Sequence, residues 1–181
     1  MNRGVRLAGM ALGKDYTGQD CSLARALEIV GERWTLLIVR DAFYGVRRFT
    51  DFQAHLDVPR AVLAARLQTL VEAGVLVKQG HDYVLTEMGR ELWPGLHAFA
   101  RWAERHVRAG VPTRLYLHAA CGGRLDPDGT CPECGGVVPP QDVETRPSAD
   151  RVPLRDDPVT RALGRPRRLL EPLEPSESPE P

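Results

Sequence analysis

Residues 59–85, PRAVLAARLQTLVEAGVLVKQGHDYVL, carry the clearest structural pattern of this 181-residue chain. Its first half repeats apolar residues at the three- and four-residue spacing of a helix that buries one face: Leu63, Leu67, Leu70 and Val71. Pro59 suits a first helical turn, and Gly74 follows the last turn. Two short apolar runs, 75–78 and 83–85, flank a turn-forming tetrad, QGHD. The stretch therefore predicts a helix followed by a two-stranded hairpin.

Three helices are predicted on the N-terminal side of this stretch. One begins near Ser22 and ends at Gly31, a second covers 32–44, and a third covers 49–56. The third joins the helix after Pro59 by a turn at Asp57 and Val58, which is typical of a helix-turn-helix. Beyond the hairpin, Thr86 opens a helix that Pro94 interrupts. It resumes with four apolar residues on one side: Leu96, Phe99, Ala103 and Val107. The predicted fold is mainly α with a small β wing, a winged helix-turn-helix.

Four residues near the C-terminal third have the spacing of a metal site. His118-x-x-Cys121-Gly-Gly and Cys131-x-x-Cys134-Gly-Gly are two similar half-sites, and Asp126-Pro-Asp-Gly129 supplies a reversal between them. Three thiolates and one imidazole complete a tetrahedral shell, which predicts a structural zinc in a small ribbon and no open catalytic position. The alternative is a redox-active Cys-x-x-Cys with His118 incidental, although no thioredoxin-like βαβ pattern surrounds it.

Composition and charge limit the remaining choices. The chain is 43% hydrophobic, enough to fill a core, and its formal net charge of +0 argues against indiscriminate coating of nucleic acid. The absence of a long apolar run or a convincing signal peptide favours the cytoplasm. No nucleophile–base pair, phosphate-binding glycine loop or paired acids stand out, so we do not expect an enzyme. Residues 1–20 are expected to form a flexible arm, 111–140 the zinc ribbon, and 141–181 a disordered tail rich in proline and charge.

Residues 21–106 resemble the HxlR family of winged-helix regulators, relatives of the MarR type. The resemblance rests on ordered matches to this family: Cys21, Gly31, Trp34, Arg48, Phe49, Arg66, Leu67, Gly74 and the LTEMG string at 85–89. It implies that 21–110 is a DNA-binding and dimerisation domain. The first and last helices of two copies would pack across a two-fold axis and present two reading helices to a palindromic operator, usually as a repressor.

The predicted DNA-contacting residues lie on the helix after Pro59, before the third helix and in the wing. A turn of about 100° per residue places Ala61, Ala65, Gln68 and Glu72 opposite Leu63, with Ala64 at one margin. This face is poor in hydrogen-bond donors, so we expect base contacts chiefly from Gln68 and thymine-methyl contacts from the alanines. The full set predicted to contact double-stranded DNA is Arg47, Arg48, Arg60, Ala61, Ala64, Arg66, Gln68 and Lys78.

Two further expectations concern signals. Cys21 lies at the N-terminal edge of a helix, where the dipole favours a thiolate, and in similar proteins the matching cysteine senses oxidants or electrophiles; a small buried cysteine is the alternative. Trp34, Trp93, Trp102 and Phe99 would line a small-molecule effector pocket or, alternatively, form core or dimer contacts. The competing function is a protein-interaction module in which the winged helix and ribbon bind protein and DNA contact is residual.

Overall fold

We analysed a computed structural model of the chain, which describes Tyr16 and residues 18–108, 110–149 and 152–174. The predicted arm, 1–20, lies mostly outside the described residues.

The N-terminal half contains four helices, a hairpin and two further helices. In chain order the elements are α1 (Ser22–Val30), α2 (Thr35–Phe43), α3 (Phe49–Leu56), α4 (Arg60–Glu72), β1 (Leu76–Gln79), β2 (Asp82–Leu85), α5 (Glu87–Arg90) and α6 (Trp93–His106). β1 and β2 pair antiparallel, with Leu76 opposite Leu85 and Gln79 opposite Asp82. This is the predicted winged helix-turn-helix, with the wing within one residue of its expected bounds.

Local chemistry explains the helix-turn-helix. α3 ends at Asp57, whose left-handed φ of 52° turns the chain, and an aspartate tolerates that region better than most residues. Pro59 then precedes α4, which buries Leu63, Leu67 and Leu70 completely. After the wing, Thr86 Oγ1 accepts a hydrogen bond from the Gly89 N–H and begins α5. The turn at Asp57 therefore separates α3 from α4, and the leucines of α4 lie in the core.

The C-terminal half adds seven short elements. They are β3 (Arg114–His118), β4 (Thr130–Cys131), β5 (Gly136–Val137), a 3-10 turn (Pro140–Asp142), β6 (Val143–Pro147), α7 (Pro158–Ala162) and β7 (Arg167–Arg168). β3, β6 and β7 form one antiparallel sheet in that order, while β4 and β5 form a separate hairpin. Since β3 pairs with β6, the ribbon is completed by residues beyond 140.

The expectation of a disordered tail over 141–181 is wrong for residues 143–149 and 152–173. Apolar side chains of this segment are buried against the rest of the chain: Val143, Val159, Leu163, Leu169 and Leu173. The backbone is also bonded to α2, because the Leu170 N–H donates to the Phe43 carbonyl and the Leu173 N–H to the Gly45 carbonyl. Prolines and charges interrupt the apolar pattern, but each leucine fits a surface that α2 and the sheet provide. Residues 175–181 lie outside the described part.

The two halves share one aromatic core. Trp93 of α6 lies between Phe43 of α2 and Tyr116 of β3, with ring centroids 5.3 Å and 5.4 Å away. The hydroxyl groups of Tyr44 and Tyr116 are hydrogen-bonded at 2.7 Å, and both residues are buried. Burying these rings removes a large apolar area from water, so the C-terminal half is packed as part of the winged-helix domain. No helix among the described residues has the length and apolar character needed to cross a membrane.

Candidate metal centre and DNA-binding surface

The four predicted ligands come together. The ligand atoms of His118, Cys121, Cys131 and Cys134 all lie within 4.8 Å of one another. Cys121 Sγ is 3.4 Å from His118 Nδ1, 3.5 Å from Cys131 Sγ and 3.4 Å from Cys134 Sγ. His118 ends β3 and Cys131 ends β4, so each strand carries one ligand directly into the cluster.

Glycines next to the second ligand of each half-site adopt the backbone that the tight turns require. Gly122 has φ 75° and Gly135 has φ 71°, in the left-handed region that glycine enters without strain. A Cβ at Gly123 would lie 2.8 Å from Cys131 Sγ and 3.2 Å from Cys121 Sγ. The second glycine of the first half-site is therefore needed for close approach of backbone and sulfur.

Hydrogen bonds within the cluster give the thiols of Cys121 and Cys134 different pKa values. The Gly123 N–H donates to Cys121 Sγ at 3.4 Å and lowers the pKa of the Cys121 thiol. The thiol of Cys134 donates to Cys121, and holding that proton raises the pKa of Cys134 to about 11. Of these two residues, Cys121 has the thiol that ionises more readily.

The donor set and its spacing fit a tetrahedral ion. A zinc with sulfurs at about 2.3 Å and a nitrogen at about 2.0 Å separates neighbouring ligand atoms by about 3.5–3.8 Å. The separations of 3.4 Å and 3.5 Å around Cys121 are close to that range. Cys131 is fully buried, so an ion held there would be attached to the core.

The outer face of α4 has the predicted composition. It is lined by five exposed residues: Ala61, Ala64, Ala65, Gln68 and Glu72. The Gln68 amide donates to Glu72 Oε1 at 2.7 Å, so its donor is already engaged. The Thr69 hydroxyl donates back to the Ala65 carbonyl. Hydrogen-bonding groups free to read base edges are consequently scarce on this face.

The predicted basic residues fall into two groups. Arg48, Arg60 and Lys78 extend toward solvent, with Arg60 stacked over the Phe49 ring at 4.9 Å. By contrast, Arg47 is partly buried and donates to the Leu170 carbonyl at 3.4 Å, and Arg66 is partly buried 3.7 Å from Glu32. These two arginines hold other segments of the same chain, a role that the sequence did not indicate.

The residues predicted to respond to signals are only partly brought together: Trp93 and Phe99 line one cavity, whereas Trp34 and Trp102 do not line it. Cys21 is exposed at the N-cap of α1, so the alternative of a buried cysteine does not hold, while a sensing role for Cys21 stays a prediction. Trp93 is 3% exposed in the aromatic core. Phe99 and Trp102 instead stack on each other on the exposed side of α6, with centroids 6.0 Å apart.

Two buried polar residues of the shared core escaped the sequence reasoning. His97, 1% exposed, donates through Nε2 to the Asp126 carbonyl at 3.0 Å and so joins α6 to the ribbon reversal. Arg114, 4% exposed, donates to Thr145 Oγ1 and to the Leu163 carbonyl. His97 lies one helical turn after Trp93, and this spacing is the signal that points to a shared buried face.

Comparison with known proteins decides the family. A family described as HxlR-like helix-turn-helix matches residues 29–110. Rv3095 of Mycobacterium tuberculosis, an uncharacterized HTH-type transcriptional regulator, is 40% identical over 135 residues, covering 70% of this chain and 85% of the relative. The chain belongs to the HxlR-like helix-turn-helix family. This HxlR-like protein is accordingly a DNA-binding transcriptional regulator.

Other relatives agree with this assignment. YdeP of Bacillus subtilis, also an uncharacterized HTH-type transcriptional regulator, is 27% identical over 106 residues, covering 52% of this HxlR-like chain and 83% of YdeP. The crystal structure of PA1607, a candidate transcription factor, superposes with a TM-score of 0.55 at 33% identity and covers 76% of this chain and 96% of PA1607. The similarity to PA1607 extends past the family match into the C-terminal half.

Proposed function

We propose that the protein is a homodimeric repressor of a palindromic operator in the cytoplasm, with no enzymatic activity. The observation that supports this most is an intact helix-turn-helix with exposed Arg60 at the start of its second helix and an exposed Lys78 in the adjacent wing. Both cations would contact phosphates with α4 in a major groove.

The proposed dimer interface is an apolar surface formed by α1 and α6. Its exposed residues are Leu23, Leu27, Phe99, Trp102 and Val107, of which Leu23, Phe99 and Val107 are more than 60% exposed. Water contact with that much apolar surface is unfavourable, and a two-fold axis would bury each copy's surface against its partner. We expect sedimentation analysis to give a dimer. Trp102→Arg should shift it to monomer, whereas Met88→Arg, at an exposed residue outside this surface, should not.

DNA binding is tested by its salt dependence. Arg48, Arg60 and Lys78 supply phosphate contacts, and removing one of these contacts should reduce the slope of log affinity against log salt by about 0.9. Fluorescence anisotropy on a duplex from the protein's own upstream region should therefore show a slope smaller by about 1.8 for Arg48→Gln/Arg60→Gln. Arg165→Gln, at an exposed arginine of the C-terminal segment, is the control for a change of charge. Equal slopes for all three proteins would favour the interaction-module alternative.

We also propose that His118, Cys121, Cys131 and Cys134 hold a structural zinc. The spacing of the ligand atoms around Cys121 and the glycine-lined turns support this. An ion there would neutralise the thiolates and fix β3 against the β4–β5 hairpin. Elemental analysis should find one zinc per chain, and cobalt substitution should give the visible absorption of a tetrahedral thiolate complex. Cys134→Ser should lose metal affinity, whereas Ser148→Ala should retain it; equal metal content in both variants would contradict the site.

A further inference from the structure

A large cavity separates the winged helix from the C-terminal segment. Its volume is about 890 Å³, and it lies between α1, α2 and α6 on one side and residues 152–163 on the other. Aliphatic and aromatic side chains form most of its wall: Leu27, Leu36, Leu37, Leu96, Phe99 and Leu163. Leu27 and Phe99 also belong to the proposed dimer surface, so the cavity and that surface adjoin at these two residues. Apolar cavities of roughly 300–1,000 Å³ with a few polar groups are typical of small-molecule sites.

The polar groups that line this cavity are predominantly cationic. Five arginines contribute to it, Arg33, Arg40, Arg108, Arg114 and Arg155, against two glutamates, Glu32 and Glu104. Both glutamates are already paired, Glu32 with Arg66 and Glu104 with Arg101. Arg33 and Arg108 form no ion pair among the described residues. Arg40 is paired with Asp41 and Arg155 with Asp57, so the cations of the cavity without an ion pair in the described part are Arg33, Arg108 and Arg114.

Arg40 and Arg114 place guanidinium groups on the inner side. Arg40 donates to Asp41 Oδ1 through Nε and Nη2, and its Nη1 has no hydrogen-bond partner among the residues that the structure describes. Arg114 uses Nε and Nη1 on Thr145 and Leu163, while its buried Nη2 is unpartnered within the same described part. The Tyr44 ring lies 5.8 Å from the Arg40 guanidinium and 5.0 Å from that of Arg114. Two cations thus flank one tyrosine at the end of the cavity.

We propose that this cavity binds a small organic anion with an apolar body, such as an aromatic or aliphatic carboxylate or sulfonate. The acidic group would accept hydrogen bonds from Arg40, with the positive field of Arg114 behind it, and the apolar body would contact the leucines of α2 and α6. A guanidinium next to an apolar wall favours such an amphipathic anion over a neutral or a fully polar ligand, because the anion satisfies both surfaces.

The site is connected to the helix-turn-helix through Asp41. This carboxylate is fully buried and accepts from Arg40 on Oδ1, while Oδ2 lies 2.7 Å from His55 Nδ1 in the last turn of α3. An anion bound to Arg40 competes with Asp41 for the same guanidinium. Occupancy of the cavity therefore changes the Arg40–Asp41 ion pair and, through Asp41, its contact with His55 of α3. This consequence rests on the proposed DNA-binding function, whereas binding of the anion does not.

The test uses a matched pair of fluorescent probes on the full-length protein. 8-Anilinonaphthalene-1-sulfonate has the anionic group and apolar body, and N-phenyl-1-naphthylamine lacks only the sulfonate. We expect the sulfonate to bind at one site per chain. Arg40→Gln should weaken it about tenfold or more while leaving the neutral probe within about twofold, because a charge-assisted hydrogen bond is removed. Arg40→Lys should recover most of the affinity, and Arg105→Gln, at an exposed arginine outside the cavity, should change neither probe.

A second variant keeps the test valid if Arg40→Gln fails to fold. Ala100 lines the cavity from α6, and Ala100→Trp should abolish binding of both probes, whereas Ala98→Trp on the exposed side of the same helix should not. Equal affinity for both probes in the wild type, or binding that Ala100→Trp leaves intact, would overturn the proposal. Conversion of dimer to monomer as the sulfonate binds would also overturn it, by making the cavity part of the interface between copies.

Operator affinity provides the separate readout. Saturating sulfonate should change the affinity of the wild type for the upstream duplex and leave that of Arg40→Gln unchanged. An unchanged wild-type affinity would refute the link through Asp41. If no duplex is bound at all, the proposed function fails while the probe titrations still decide whether the anion site exists.

Discussion

Removing the hydrogen bond between Tyr44 and Tyr116 tests whether the two halves of the protein fold as one unit. Their hydroxyl oxygens lie 2.7 Å apart, and the two residues are 5% and 8% exposed. Tyr44→Phe or Tyr116→Phe alone leaves one buried hydroxyl unpaired, at a cost of about 1–2 kcal/mol each. The double variant removes both polar groups, so it should cost at least about 1 kcal/mol less than the sum of the single changes.

Urea unfolding followed by tryptophan fluorescence measures these free energies, with the metal content held constant across the four proteins. Each single variant should also lower the melting temperature by roughly 2–8 °C, given the length of the chain. Tyr83→Phe in the wing is the control and should have little effect. Strict additivity of the two changes, or a second transition that Tyr116→Phe alone shifts, would refute a shared core between the winged helix and the ribbon.

Three further predictions follow from individual contacts. Burial lowers the pKa of His97 below its ordinary 6.5, so as pH falls the unfolded chain takes up a proton before the folded chain does. Stability should therefore fall as pH drops below about 6.5. The urea midpoint should depend less on pH in His97→Gln than in the wild type, and an identical pH dependence would contradict this. Gly45 has φ +89°, and a Cβ there would lie 1.8 Å from the Glu171 carbonyl oxygen. Gly45→Ala should therefore lower the free energy of unfolding by more than about 2 kcal/mol and expose residues 167–173 to proteolysis, whereas Gly80→Ala, where no atom lies near the added Cβ, should lower it by about 1 kcal/mol. Equal losses for the two changes would refute the close approach at Gly45. Glu72→Ala removes an acid from the reading face and also the acceptor of the Gln68 amide, so operator affinity should rise severalfold in anisotropy titrations; weaker binding would show that Glu72 contacts DNA directly.

Local pattern was sufficient for the winged helix and for the cluster of four candidate metal ligands. The stripe of Leu63, Leu67 and Leu70 is fully buried, and the hairpin is found within one residue of its predicted bounds. The four ligands needed only the repeated spacing and the glycines, because a knuckle of this kind is set by residues close together in sequence.

Contacts between distant segments could not be read from the sequence. Val159, Leu163 and Leu169 are separated by prolines and arginines and form no period, and their burial depends on distant segments, such as α3 against α7. The buried side of α6 could not be predicted from its apolar pattern either. Its apolar side includes Phe99 and Val107, which are 61% and 69% exposed, while the buried side carries Trp93, His97 and Glu104. His97 is buried there because the ribbon reversal supplies the Asp126 carbonyl, and Glu104 because Arg101 of the same helix pairs with it.

Footprinting on the protein's own upstream region tests whether a dimer of this protein binds a symmetric operator. A homodimer that presents two copies of α4 should protect two half-sites about 34 Å apart, one helical turn, with inverted sequence symmetry. Protection should weaken steeply as salt is raised. A single unsymmetrical site, or no salt-sensitive protection on this region, would contradict a dimeric operator-binding regulator.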